Sequence, residues 1–98
     1  MAGRIKWSKK ATEDLQEILA YWRSRNKSNT YSKKLYKEII QIIYLLDAYP
    51  YLGISTSDKF IRVKIFKSYK FFYEFKSKPI TILGIWDTRQ DPEELETL

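Results

Sequence analysis

The chain contains neither cysteine nor histidine. Without cysteine there is no disulfide, and without either residue type the ligand sets that usually hold zinc or copper cannot be assembled. The acidic residues form no tight cluster to cage magnesium, so no metal and no cofactor is expected. Long apolar runs are lacking too: nothing approaches the roughly 20 residues of a membrane span. The N-terminal "MAGRIKWSKK" has no apolar core of the signal-peptide kind, and a cytoplasmic protein without a membrane partner is expected. No low-complexity run divides the chain, and 98 residues suit a single domain spanning 1–98.

What is present makes a folded, basic domain. The residues are 44% hydrophobic and 16% aromatic, too apolar for a disordered chain even with 31% charged. The net charge of +6 is unevenly spread. Residues 1–50 carry 10 Lys/Arg against 5 Asp/Glu, 51–86 carry 7 against 2, and 87–98 carry 1 against 5. Basic domains of this size suit phosphate backbones, ribosomal surfaces or acidic protein partners.

Periodicity places the elements. "RIKW", Arg4 to Trp7, alternates and predicts a short opening strand with Ile5 and Trp7 inward. Ser8 is then an N-cap, and Ala11, Leu15, Ile18, Leu19 and Trp22 make one face of a helix. The polar turn "NKSNT" leads to a second helix with the face Leu35, Ile39, Ile42, Ile43 and Leu46. Tyr36, Ile40 and Tyr44 add a further stripe. Either this helix is packed between the first helix and a sheet, or the stripe is a partner-binding surface. The short turn predicts an antiparallel helix hairpin.

Ala48 to Asp58 reads as helix exit and loop, punctuated by Pro50 and Gly53. From Lys59 the period becomes two. "KFIRVKIFK", "SYKFFYEFK" and "KPITILGIWD" then read as a three-stranded antiparallel meander, with a short C-terminal helical turn from Pro92. The expected class is α+β, with the helices packed on one face of the sheet. If they cover the side of Ile61, Val63 and Ile65, then Arg62 and Lys64 point to the opposite face. There they would converge with Lys70 and Arg89 on a concave phosphate-binding surface, with Phe60, Phe66, Phe72 or Tyr69 as base-stacking neighbours. The alternative is a solvated sheet face whose charges discourage edge aggregation.

The order of elements, "KWSKKATEDLQEILAYW", the "YP" to Gly53 helix exit, "RVKIFKSYKFFYEF" and "ITILGIWDTRQDPEEL" together resemble the RelE/ParE superfamily of toxins from bacterial type II toxin–antitoxin systems. The resemblance runs from about Arg4 to Leu95. It implies a growth-inhibiting toxin with a cognate antitoxin protein as partner, and one of two targets: DNA gyrase, which ParE-like members block, or the ribosome with its mRNA, which RelE-like members cleave without a metal. Arg62 and Lys64 match the basic residues on the family's first meander strand, Lys70 matches the arginine of its "YR" element, and Arg89 matches the arginine after the last strand. Lys64, Lys70 and Arg89 are therefore the candidate catalytic residues if the chain cleaves RNA. The tyrosine or histidine that RelE-like members place near the C-terminus has no counterpart, and the glutamate some place after the second helix is replaced at best by Asp58. These departures favour the ParE-like reading over the endoribonuclease, with an inert structural descendant as the third possibility. Asp87 and Asp91 are expected to hold Arg89, and Glu93 and Glu94 to enter the first turn of the terminal helix, where negative charge is favoured.

Overall fold

A computed structural model describes residues 5–89. The expected helical turn from Pro92, with Asp91, Glu93 and Glu94, lies outside the described residues. The elements are β1 (Lys6–Trp7), α1 (Lys9–Asn26), α2 (Thr30–Ala48), β2 (Ile54–Ser55), β3 (Ile61–Phe66), β4 (Tyr69–Glu74) and β5 (Thr81–Asp87). A 3-10 turn, Pro50–Leu52, joins α2 to β2. The sheet order is β1-β5-β4-β3-β2; β1 runs parallel to β5 and every other pair is antiparallel.

Local chemistry sets the boundaries. Ser8 caps α1: its Oγ accepts from the Ala11 amide at 2.9 Å and donates to the Leu83 carbonyl at 2.8 Å, so one side chain starts the helix and ties it to β5. Lys27, at φ 50°, turns the chain out of α1 in the left-handed conformation that ends many helices. Asp14 fixes α1 over β5 by accepting from the Ile85 amide at 3.0 Å. At the far end of the hairpin, the buried Asp47 carboxylate accepts from the Ile80 amide at 3.0 Å.

One core lies between the helices and the sheet. It joins Ala11 and Ile18 of α1 and Leu35, Ile39, Ile43 and Leu46 of α2 to Tyr69, Phe71 and Tyr73 of β4 and Ile82 and Ile85 of β5. Burying an aromatic or branched aliphatic side chain of this size contributes about 1.5–3 kcal/mol, so the three β4 rings are its largest single contributors. The α+β class and the one-sided helical layer are as expected.

Three features differ from the expectations drawn from the sequence. Ile54 and Ser55, read as loop, pair with Val63 and Arg62 as an edge strand too short to show alternation. Tyr36 and Tyr44 of α2 are 45% and 61% exposed, so the stripe they form with Ile40 is not sandwiched between α1 and the sheet. The faces of β3 are the reverse of those expected. Arg62 stands opposite Tyr73, Lys64 opposite Phe71 and Phe66 opposite Tyr69, which puts the cations on the helix-facing side with the buried β4 rings. Ile61, Val63 and Ile65 oppose Glu74, Phe72 and Lys70 on the open face, where Ile65 is 51% exposed. The reason is position: α1 is fixed over β5, two strands away, so β3 lies at the margin of the helical layer. There a long cation can lie half-buried while its head finds water or a carbonyl.

Candidate functional site

Arg89 follows β5, and its position is set by the turn between β3 and β4. Thr88 donates to the Ser68 carbonyl twice, from its amide at 2.9 Å and its hydroxyl at 2.8 Å, which pins the end of β5 beside Tyr69. The Asp87 Oδ1 accepts from the Arg89 amide at 2.9 Å and, more loosely, from its Nε at 3.4 Å. The guanidinium carbon then lies 4.9 Å from the Trp22 ring centroid and 5.7 Å from that of Tyr69, a stacked cation between two rings. The Tyr69 hydroxyl accepts from Trp22 Nε1 at 2.6 Å and from Arg89 Nη2 at 3.3 Å. Tyr21, Trp22, Arg25, Asp87 and Arg89 line a cleft of about 260 Å³ here.

The electrostatics follow from these contacts. Partial burial pulls the Arg89 pKa down, but the hydrogen bond and charge of Asp87 outweigh it and the value is raised, so the cation is permanent. Burial pushes the Tyr69 hydroxyl up, opposed by the Trp22 hydrogen bond, and the net shift is upward. Tyr69 is thus a neutral phenol at physiological pH. Buried behind the cleft, it accepts both of these hydrogen bonds and so fixes the Trp22 ring and the Arg89 guanidinium relative to each other.

The expected four-cation cluster is not brought together. Lys70 faces the open side, opposite Ile65 and Trp86, so the sheet separates it from Arg62, Lys64 and the Arg89 clamp. Phe72 shares that open face, tilted 43° to Trp86 at 6.5 Å. Arg62 and Lys64 do share a face with Tyr69, but Arg62 opposes Tyr73, four residues along β4 from Tyr69. At about 3.3 Å per residue that is roughly 13 Å. Arg62 is itself engaged: its Nη1 donates to the Gly53 carbonyl at 2.7 Å and its guanidinium lies 4.9 Å from the Tyr51 ring centroid. Among the described residues no group of three Asp or Glu side chains is placed to hold a metal ion. No helix among them is long and apolar enough to cross a membrane.

Trp22 and Tyr69 are the neighbours of Arg89 that sequence reasoning undervalued. Trp22 reads as one more apolar position on α1, and Tyr69 as a stacking ring. Their one polar atom each is the signal: a buried Trp N–H and Tyr O–H need partners, and here they find each other and Arg89.

A second surface lies on the hairpin. Leu19, Arg23, Ser32, Lys33, Tyr36 and Lys37 line an apolar groove of about 340 Å³ with a basic rim. Tyr36 thereby joins the floor of a groove between the two helices, and Tyr44 stands further along the same exposed side of α2.

The family described as the ParE toxin of the type II toxin-antitoxin system, parDE, matches residues 5–92. Among solved structures, the "Chromosomal ParDE TA system from P. aeruginosa" contains a chain similar in fold, with a TM-score of 0.69 and 22% sequence identity, over 83% of this chain and 90% of that one. No curated protein matches the sequence. A match over nearly the whole chain makes this protein a member of the ParE toxin family of type II toxin–antitoxin systems.

Proposed function

We propose that the chain is a growth-inhibiting toxin that acts by binding DNA gyrase rather than by cutting RNA, and that a cognate antitoxin neutralises it. The observation that carries this reading is the separation of the cations. Metal-independent RNA cleavage needs a base for the 2′-hydroxyl, an acid for the leaving oxygen and cations around one phosphate. Lys70 lies across the sheet from Lys64, and Arg89 is held at the opposite end of β4 from Arg62. What remains around Arg89 is a stacked, fixed guanidinium beside a buried phenol, an arrangement suited to gripping a carboxylate or phosphate on a partner. Arg62, Lys64 and Arg89 then serve as binding residues, and Lys70 as part of the open face.

For the antitoxin, the groove between α1 and α2 supports an acidic amphipathic segment. Leu19 and Tyr36 supply an apolar floor and Arg23, Lys33 and Lys37 a positive rim. Tyr36, Ile40 and Tyr44 are its contact stripe.

The test is supercoiling by purified gyrase, which is expected to fall as the chain is added and to recover with antitoxin. Undiminished supercoiling at high toxin concentration rejects the target. Codon-phased cuts in translated mRNA, weakened by Arg89→Ala and Lys70→Ala, would establish the endoribonuclease instead. Unchanged growth on induction without antitoxin would leave only the inert descendant.

A further inference from the structure

We propose that the cleft between the 3-10 turn and the start of β3 is a binding site for single-stranded nucleic acid, with a base stacked on Tyr51 and phosphate held by Lys59 and Lys76. It is lined by Tyr51, Lys59, Phe60, Arg62, Phe75 and Lys76, has a volume of about 230 Å³, and is distinct from the Arg89 cleft.

The Tyr51 ring is held yet uncovered. Arg62, anchored on the Gly53 carbonyl at 2.7 Å, lies against the ring, and Phe75 meets it edge-on at 5.5 Å and 88°. The residue is nonetheless 71% exposed. A ring whose orientation is fixed before binding loses little entropy when a planar ligand stacks on it. A guanidinium on one side and a free face on the other suit a nucleobase, which has a π-face whatever its sequence.

The cations converge from separate segments. Lys59, just before β3, and Lys76, just after β4, bring their ammonium groups to 5.0 and 5.4 Å from the Phe60 ring centroid. With Arg62 they make three positive charges around one small cleft. Two carboxylates nearby offset part of this charge and leave it net positive: Asp58, whose Oδ1 accepts from the Phe60 amide at 2.9 Å, and Glu74, 3.8 Å from the Lys76 ammonium. Like charges gathered around exposed rings repel one another, and a bound phosphate relieves that repulsion. An acidic peptide would satisfy the charges but has no use for the free face of Tyr51.

The site does not depend on the gyrase reading, because it is tested on the full chain alone. A fluorescein-labelled oligothymidylate of about a dozen nucleotides is titrated by anisotropy at several salt concentrations. Tyr51→Ala is expected to weaken binding about tenfold, within the range for loss of one stacked base, with the salt slope unchanged, while Tyr51→Phe retains affinity. Lys59→Ala with Lys76→Ala should lower the salt slope by roughly 1.4, about 0.7 for each single-strand phosphate that is no longer neutralised. Lys34→Ala removes a charge elsewhere and should leave the Tyr51 effect intact. Circular dichroism melts confirm that each variant folds. Unchanged affinity in Tyr51→Ala overturns the proposal. Equal competition by a polyglutamate peptide also overturns it, and assigns the cleft to an acidic polypeptide.

Discussion

Removing one oxygen from the core, by Tyr73→Phe, tests how the helix hairpin is joined to the sheet. The Tyr73 ring is fully buried, and its hydroxyl donates to the Pro50 carbonyl at 2.5 Å and accepts from the Gly53 amide at 2.9 Å. Phenylalanine keeps the ring's packing and leaves both backbone groups without that partner. An unpartnered buried donor or acceptor costs about 1–3 kcal/mol, and with partial relaxation of the turn the expected loss is about 2–4 kcal/mol. For a domain of this size that lowers Tm by roughly 10–25 °C. Thermal and urea unfolding followed by circular dichroism measure it, and the urea m-value should stay constant, since the surface exposed on unfolding is unchanged. Tyr21→Phe, at a 40% exposed position, is the control and should shift stability by less than about 0.5 kcal/mol. A Tm drop under about 4 °C for Tyr73→Phe refutes the claim that this hydroxyl ties the 3-10 turn to β4. The same turn carries the Gly53 carbonyl that holds Arg62, so the variant should also loosen Arg62.

Burial raises the Tyr69 and Tyr73 pKa values above the ordinary 10.0, so the unfolded chain releases these protons first; stability is present below about pH 10 and falls as pH rises through the folded values. Urea unfolding between neutral and strongly alkaline pH should show this slope, and Tyr73→Phe should flatten it; a slope unaffected by the variant sinks the assignment. Lys67, raised by its hydrogen bond to Glu38, adds little in the same window because the pair is exposed. Ser8→Ala loses the cap of α1 and its bond to Leu83, at a cost of about 1–2 kcal/mol read by urea unfolding, whereas Ser8→Asp restores the cap alone and recovers part. Arg89→Lys should impair gyrase inhibition nearly as much as Arg89→Ala, because lysine keeps the charge and loses the stacked fork between Trp22 and Tyr69; full activity in Arg89→Lys means that charge alone suffices. Tyr36→Asp or Tyr44→Asp should weaken antitoxin binding at least tenfold by calorimetry while Tm moves little, as both side chains are exposed; a large Tm loss would instead mark them as core.

Helices were legible because their signal is redundant. Five apolar positions on α1 and five on α2 repeat one periodicity, and the Ser8 cap fixes a boundary. β2 was not, since two residues carry no period. The stripe on α2 was visible in the sequence, but its exposure and Lys70's isolation were not, because both depend on which side of an element its neighbours occupy. Asp87 was legible as the partner of Arg89 from closeness in sequence, whereas Trp22 and Tyr69 come from elements far apart in the chain.

The inversion of β3 shows where alternation stops being informative. A period of two separates Ile61, Val63 and Ile65 from Arg62, Lys64 and Phe66, but it does not say which set faces the helices. Apolarity favours the first set; register decides for the second. The two-residue link Lys67–Ser68 makes Phe66 the partner of Tyr69, and that pairing carries Lys64 to Phe71 and Arg62 to Tyr73. On β4 the choice of face is not balanced: Tyr69, Phe71 and Tyr73 stand against Lys70, Phe72 and Glu74, and burying the three rings outweighs leaving half-buried Ile61 and Val63 and exposed Ile65 on the open face of the neighbouring strand. The strand with the larger aromatic difference therefore sets the face, and a tight turn transmits it to its neighbour. Applied from β4 outward, that rule places Arg62 on the helix side, next to the turn that holds Tyr51, and leaves Lys70 alone on the other face.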